Sequence, residues 1–220
     1  MKEIPILMST PMVQATMDGR KTQTRRTKGL FLINEEPDIY AYKKPLEQDN
    51  NIHVFARMFR GSWVETMHIK CPYGQPGDVL WVRETWNTLT SYIETPDYSV
   101  ISVRDFVYKA DDDRFDKWKP SIFMPKEACR IRLLVEDVRV ERLQDISKED
   151  AIAEGVERKG DGFKAYRKIH SGRHKGEPHP WNNVPNRSAR TSYEELWESI
   201  NGGGSWDKNP WVWVIEFTKL

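Results

Sequence analysis

The feature that most constrains the fold is a pair of apolar stretches in the second half of the chain. From residue 129 to residue 141, apolar side chains largely alternate with charged ones, and residues 211–217 are apolar at nearly every position. Alternation with a period of two is typical of a strand with one buried face, and a short apolar run is typical of a strand buried on both faces. The sequence therefore predicts a long, bent, half-exposed strand and a buried final strand.

Other segments add short strands and a few helices. Strands are predicted at residues 79–82 and 105–110, whereas residues 34–70 have no firm period and are predicted to be loop and irregular strand. The predicted helices run from the cap Thr10 to Gly19, from the capping box at Ser147 to Glu154 before Gly155, and over Tyr193, Leu196, Trp197 and Ile200 with Thr191 and Ser192 as caps. Strands with few helices predict the α+β class, as a small mixed β-barrel with flanking short helices and loop insertions.

Size and composition indicate one intracellular domain. A chain of 220 residues buries roughly 70% of its unfolded surface and needs no disulfide to fold. Its N-terminal apolar stretch is too short for a secretory signal, and no apolar run approaches the length of a membrane helix. Cys71 and Cys129 are far apart and form no disulfide framework. We expect a single cytoplasmic domain over residues 1–220 that makes no membrane contact.

The charge balance limits how an anionic partner could bind. The 34 basic and 33 acidic residues give a net charge of +1, so bulk charge would not hold nucleic acid and any such partner must be bound locally. Residues 156–190 are the basic segment, with nine Lys or Arg against three Asp or Glu. Most of the nine tryptophans, eight tyrosines and eight phenylalanines are expected in the core, and a few could stack on a base or sugar.

Several classes of enzyme have no motif in this chain. It lacks a phosphate-binding loop, a Rossmann fingerprint, an HExxH sequence and a GxSxG sequence. His170, His174 and His179 are spaced so that they could surround a metal, but they lie in a basic Gly/Pro-rich segment without a nearby cysteine or carboxylate cluster. A solvated loop is the favoured interpretation, and no metal or other cofactor is predicted.

The segment from Arg20 to Arg26 is the best candidate for chemistry. If the turn after Gly19 lets Lys21 meet Thr24, a lysine with a lowered pKa could accept the proton of the threonine hydroxyl and activate a weak nucleophile. Burial and the neighbouring arginines would disfavour the charged lysine. The alternative is that these basic residues only bind phosphate or water.

Two acidic positions are further candidates. Glu154 lies in the last turn of a short predicted helix, where a carboxylate faces the negative end of the helix dipole, so its placement has no local explanation. An exposed glutamate at a fraying helix end is the alternative. Asp78, Arg83 and Glu84 occupy turn and strand-end positions, where surface ion pairs are the simplest interpretation.

Several motifs, in this order, resemble the ASCH domain family. The motifs are Gly19-Arg20-Lys21-Thr22, Gly77-Asp78-Val79-Leu80-Trp81-Val82, Gln144-Asp145-Ile146-Ser147 leading to Ala153-Glu154-Gly155, and Trp213-Val214-Ile215-Glu216-Phe217. Residues 81–86 and 118–125 are similar to the larger branch of that family, encoded by phages and prophages. The resemblance covers residues 1–28, 75–155 and 191–220, and it makes residues 29–74 and 156–190 insertions.

The resemblance implies a PUA-like barrel with a helix beside its cleft, in a superfamily associated with RNA binding and nucleotide modification. A much smaller bacterial member, an amidohydrolase of N4-acetylcytidine, is thought to use a lysine, a threonine and a glutamate, which correspond to Lys21, Thr24 and Glu154 here. The remaining expected contacts to substrate or nucleic acid are Arg20, Arg25, Arg26, Arg83, Glu84 and Trp86.

The expected partner is RNA or a modified nucleoside. This chain is about twice as long as the small enzyme, and a basic, aromatic-bearing insertion beside the cleft suits a polymer better than a free nucleoside. Two alternatives to amide hydrolysis stay open. One is a non-catalytic RNA-binding phage accessory module, and the other is a ribonuclease.

Overall fold

The structure is a computed structural model that describes residues 1–94, 100–166 and 188–220. In this part of the chain strands dominate and helices are few, which confirms the predicted α+β class. The strands are β1 Glu3–Leu7, β2 Gln23–Arg26, β3 Tyr40–Leu46, β4 Asp49–Phe59, β5 Ser62–Lys70, β6 Val79–Arg83, β7 Trp86–Glu94, β8 Val100–Tyr108, β9 Arg132–Arg142, β10 Arg158–Lys159, β11 Gly162–Phe163 and β12 Trp211–Lys219. The α-helices are α1 Thr10–Met17, α2 Lys148–Ala153 and α3 Ala189–Asn201.

A five-stranded sheet in the order β1-β6-β9-β12-β2 forms the centre of the molecule. The β1–β6 pair is parallel and the other pairs are antiparallel. Both faces of β12 are buried: Trp213 and Ile215 join the larger core, whereas Val212 and Val214 join a second core with α3. Burial on both faces explains why residues 211–217 are apolar at successive positions, and it confirms the predicted final strand.

The strand pairs leave β1 and β2 as the edges of this sheet. Pairing among the described strands therefore gives an open sheet, and closure into a barrel stays a prediction. The predicted alternating strand is present as β9, which begins at Arg132, three residues later than the pattern indicates. Cys129 instead follows a short 3₁₀ turn over Lys126–Ala128.

Residues 34–70 do not form the predicted loop and irregular strand, and that prediction was wrong. They contribute the three-stranded sheet β3-β4-β5. Register shifts near Lys44, Leu46 and Ala56 interrupt the alternation of buried and exposed side chains in the β3–β4 and β4–β5 pairs. Strand β5 is also exposed along most of its length. The sequence of this segment therefore shows no regular apolar face. The sheet packs on the central one through Phe55, whose ring centroid lies 5.7 Å from that of Trp211. The segment is thus part of the main core.

His53 on β4 provides a test of this packing. Its side chain is fully buried against Trp213, and burial lowers its pKa from 6.5 to about 4. Since the unfolded chain binds this proton at a higher pH than the folded chain, we expect stability to fall as the pH drops from 6.5 to 4, by up to about 3 kcal/mol. Urea unfolding should show this loss in the wild type and in His68→Gln, whose histidine is exposed. If His53→Gln loses as much stability between pH 6.5 and pH 4 as the wild type, His53 is not the group responsible for the loss.

The predicted strand at 105–110 is the second half of β8, which begins at Val100 and ends at Tyr108. Strand β8 pairs with β7 in an antiparallel hairpin. The predicted strand at 79–82 is present as β6, which ends at Arg83, and the next residue, Glu84, accepts two hydrogen bonds from Arg130. A new strand begins at Trp86.

The helices follow their predicted positions, with different caps in two of the three. Ser147 caps α2 as predicted, since its side chain accepts a hydrogen bond from the backbone N–H of Asp150. Ser9, not Thr10, precedes α1, and Ser188 precedes α3. The predicted cap Ser192 lies inside the first turn of α3, where its buried hydroxyl donates to the Lys164 carbonyl.

Both cysteines are free, as the sequence predicts. Among the described residues, no helix has the length and apolar character needed to cross a membrane.

Candidate active site

The site forms where the segment before β2 meets the end of α2. Lys21 and Glu154 pair as an isolated antiparallel bridge, and the N–H of Thr22 donates to the Ala153 carbonyl at 2.9 Å. The N–H of Lys21 also donates to Ala15 in α1. Two helices and a strand edge therefore hold Lys21 next to Glu154, although the two residues are far apart in the chain.

This close approach requires glycine at position 155. Gly155 has a φ of +87°, and a Cβ there would lie 2.9 Å from the Lys21 Cβ and 3.1 Å from the Ala15 Cβ. Both neighbouring atoms are fixed by their own backbones, so rotation of a side chain cannot relieve the contact. The glycine ends α2 and lets Lys21 pack directly against that end.

We expect Gly155→Ala to lower the free energy of unfolding by about 2–3 kcal/mol, because it combines a strained φ with a steric clash. Gly19→Ala is the matched control, since Gly19 has a φ of +72° but a Cβ added there would meet no atom within 4 Å. It should cost only the strain, about 1 kcal/mol. Urea unfolding measures both losses. Equal losses in the two variants would show that Lys21 does not pack tightly against position 155.

The ammonium group of Lys21 is buried and has three acceptors. Its Nζ donates to Glu154 Oε2 at 2.8 Å, to the Gln23 carbonyl at 2.8 Å and to the Glu154 carbonyl at 3.0 Å. Burial lowers the pKa of Lys21 below its ordinary 10.5, and the positive charges of Arg26 and Arg25 add to this effect, against the opposing effect of Glu154. Lys21 is thus closer to the neutral state than an exposed lysine would be.

The structure gives Arg25 a different role from the predicted contact with nucleic acid. Its side chain is 0% exposed, and it contacts Glu154 Oε1 at 3.3 Å, Glu141 at 3.0 Å and Asp150 at 3.0 Å. Arg139 on β9 contacts the same Glu141 and Asp150. Both terminal nitrogens of Arg25 therefore bind carboxylates, whereas its buried Nε–H has no partner among the described residues, and Nη1 holds the Glu154 oxygen that Lys21 does not bind.

A cavity of about 230 Å³ adjoins this pair and brings the three predicted catalytic residues together. Lys21, Thr24 and Glu154 all line it, as does Tyr193 from α3. The hydroxyls of Thr24 and Tyr193 make no hydrogen bond within the described part of the chain, so both are available to a ligand. Thr24 does not hydrogen bond to Lys21 here, and catalytic hydrogen bonds often form only when substrate is bound.

Two basic residues at this cavity differ in their contacts. Arg26, a predicted binding residue, donates from Nη2 to the Leu7 carbonyl at 2.9 Å, and its buried Nε–H has no partner among the described residues. Lys28 is exposed at the cavity and forms no ion pair within that part of the chain. Both can therefore offer a donor to an anionic or carbonyl-bearing ligand.

The other predicted binding residues lie elsewhere. Arg20 pairs with Asp18 and lines a second cavity, described below. Arg83, Glu84 and Trp86 line neither cavity. Arg83 donates to the Ile122 carbonyl and its guanidinium lies over the Trp81 ring.

Glu84 is not the surface ion pair that was expected. Its side chain is 1% exposed and accepts two hydrogen bonds from Arg130, at 2.8 and 2.9 Å. Trp86 is buried and packs on Phe106. These contacts lie at the start of the β7–β8 hairpin. Arg83, Glu84 and Trp86 are therefore not part of the site around Lys21.

Sequence reasoning missed Tyr193 and Lys28. The helical repeat at 193–200 assigned Tyr193 to the core, and it is buried, but no local pattern shows that it also lines the cavity. Burial raises the pKa of Tyr193 well above 10, so its hydroxyl stays protonated and can donate. Lys28 lies two residues after the Arg20–Arg26 segment, and only its lack of an ion pair among the described residues distinguishes it.

His170, His174 and His179, for which the sequence favours a solvated loop over a metal site, lie outside the described residues. Within residues 1–94, 100–166 and 188–220, no group of His, Cys, Asp and Glu side chains is arranged to hold a metal ion. The site described above consists of a lysine, a threonine, a glutamate and a tyrosine.

Comparison of the chain with protein-family models, with curated proteins and with solved structures finds no match. The resemblance to the ASCH family accordingly stays a prediction from the motifs.

Proposed function

We propose that this protein is an ASCH-type amidohydrolase that removes an acyl group from the exocyclic nitrogen of an N4-acylated cytidine, free or within RNA. The observation that carries the proposal is the buried Lys21–Glu154 pair beside a cavity that the unbonded hydroxyl of Thr24 also lines. A nucleophile, a base with a lowered pKa and a group that orients the base are the parts that covalent acyl transfer needs.

In the proposed reaction the Thr24 oxygen bonds to the acyl carbon while its proton passes to neutral Lys21. The carbonyl electron pair moves onto oxygen and then returns, breaking the C–N bond. The leaving nitrogen takes the proton from Lys21, and cytidine departs. Water then attacks the threonine ester with Lys21 again as base, and it releases the carboxylic acid and restores Thr24.

The surrounding groups support each step of this reaction. The lowered pKa of Lys21 favours the neutral form that can accept a proton. Glu154 and the backbone carbonyl of Gln23 hold its Nζ in place. The hydroxyl of Tyr193 and the buried Nε–H of Arg26 have no partner among the described residues, and both would stabilise the negative oxygen of the intermediate.

The proposal includes the PUA-like barrel. Arg26 on edge strand β2 donates to the Leu7 carbonyl of the other edge strand, β1. A side chain thus spans the gap between the two edges of the central sheet. This approach of the edges supports a strongly curled sheet of the kind that the family resemblance implies.

A second candidate function is binding of RNA without catalysis. All three protons of a charged Lys21 have acceptors, which is also the arrangement of a structural ion pair. The exposed Lys28 and the donor of Arg26 would then be contacts for phosphate or base. Such a module would bind RNA with an affinity that falls steeply with salt, and it would turn nothing over.

The test is release of acetate from N4-acetylcytidine, free and within an RNA oligomer, under single-turnover conditions. The proposal expects acetate from at least one substrate, with the RNA chain intact. Binding of the RNA without acetate release would favour the binding module. Shortened RNA would favour the ribonuclease, and it would contradict the proposal if no acetate appeared.

A further inference from the structure

A second cavity adjoins the first one. The second cavity measures about 430 Å³ and shares four lining residues with the first: Met12, Glu154, Leu196 and Ile200. At about 230 Å³ the first cavity is smaller than most ligand pockets, which span about 300–1,000 Å³, whereas the two together fall within that range. A ligand held at Thr24 therefore lies next to the second cavity, with Glu154 lining both.

The second cavity combines apolar residues and an aromatic residue with two cations and two carboxylates, Glu154 and Glu157. Pro11 and Ala15 from α1 form part of the apolar lining, and Tyr166 lies at the cavity with the Lys164 Nζ 5.6 Å from its ring centroid. Arg20 and Lys164 lie at the same cavity. Each cation pairs with an exposed or half-exposed carboxylate, Asp18 or Glu157, and ion pairs of this kind contribute less than about 1 kcal/mol, so a phosphate could replace the carboxylate.

We propose that the second cavity binds the nucleotide next to the acylated cytidine in an RNA strand. Its base would stack on Tyr166, and the linking phosphate would contact Arg20 and Lys164. Stacking on an aromatic side chain and cationic contacts to the backbone are the usual means of binding a single strand. The identity of the occupant of the first cavity rests on the proposed function.

The charges favour a nucleotide over the acyl group as the occupant. An acyl chain would use the apolar residues but would make no charged contact with Arg20 or Lys164, which a phosphate would. A strand carries a phosphate on each side of the cytidine, and Lys28, which has no ion pair among the described residues, offers a cation at the first cavity for the phosphate on the other side. Cations at both cavities fit a strand that passes through them.

The experiment compares kcat/KM for N4-acetylcytidine as a nucleoside and in the middle of an RNA trinucleotide. The wild type should prefer the trinucleotide, and Tyr166→Ala should reduce this preference about 5- to 150-fold, since stacking contributes about 1–3 kcal/mol per base. Tyr166→Phe is the matched control, because it keeps the ring and should keep the preference. An equal preference in the wild type and Tyr166→Ala would overturn the proposal.

A binding measurement separates this proposal from the proposed function. Fluorescence titration with an unacylated, cytidine-centred trinucleotide should show tighter binding than cytidine, and Tyr166→Ala should weaken it by a similar factor. If no acetate is released but this difference is found, the proposed function fails and the second cavity still binds a neighbouring nucleotide. If the trinucleotide binds no more tightly than cytidine, the second-cavity proposal fails even when acetate is released.

Discussion

Replacing Thr24 by valine is expected to lower the turnover of N4-acetylcytidine on the order of 10⁴-fold or more, as loss of a nucleophile does in other covalent hydrolases. Valine has the shape of threonine without the hydroxyl, so the buried position on β2 stays filled. The only group removed is the oxygen that would bond to the acyl carbon. Single-turnover release of acetate measures the effect.

Two variants act as controls for the Thr24 prediction. Thr24→Ser keeps a hydroxyl and should keep measurable turnover. Thr22→Ala removes an exposed hydroxyl two residues away, outside both cavities adjoining Glu154, and should stay within about twofold of the wild type. Wild-type turnover in Thr24→Val would show that water attacks the amide directly and that Thr24 only positions the substrate.

Replacing Glu154 by leucine is expected to lower the free energy of unfolding by about 3–5 kcal/mol, because it leaves the buried Lys21 ammonium without its carboxylate. Arg25 loses one of three acidic partners but keeps Glu141 and Asp150. The cost therefore arises mainly at Lys21. Urea unfolding at neutral pH measures it.

The double variant Lys21→Met with Glu154→Leu tests the origin of this cost. Because an apolar pair of similar volume often replaces a buried ion pair with little loss, the double variant should be more stable than Glu154→Leu alone. In the single variant the pKa of Lys21 should fall further, so the unfolded chain binds more protons than the folded one and stability should rise as the pH increases toward the ordinary lysine pKa of 10.5. If the stability losses of the two single substitutions add up in the double variant, and the pH dependence of Glu154→Leu equals that of the wild type, Lys21 and Glu154 are not a coupled pair.

The sheet was predictable where burial leaves a periodic pattern. Strands β9 and β12 carry that pattern because one has a single buried face and the other has two. The β3-β4-β5 sheet was missed, since its register shifts break the alternation and β5 has little buried surface. Its contribution to the core, through residues such as Phe55, depends on tertiary contacts that local periodicity does not record.

The candidate site was only partly predictable. Spacing left open whether Lys21 and Thr24 meet, and the structure places Lys21 just before β2 and Thr24 within it, lining one cavity. The proximity of Glu154 came from the family resemblance alone, because no local pattern links residues so far apart. The pairing of Arg25 with three carboxylates was not predictable either, since a basic run in the sequence does not reveal its acidic partners.

The pairing of β2 has a consequence for protein synthesis. Strand β2 carries Thr24, and its partner in the central sheet is β12, so no strand of that sheet supports Thr24 until residue 211 and those after it have left the ribosome. Contacts between such distant segments also form slowly during folding. The nascent chain would thus present an incomplete pocket until β12 has been synthesised and has paired with β2.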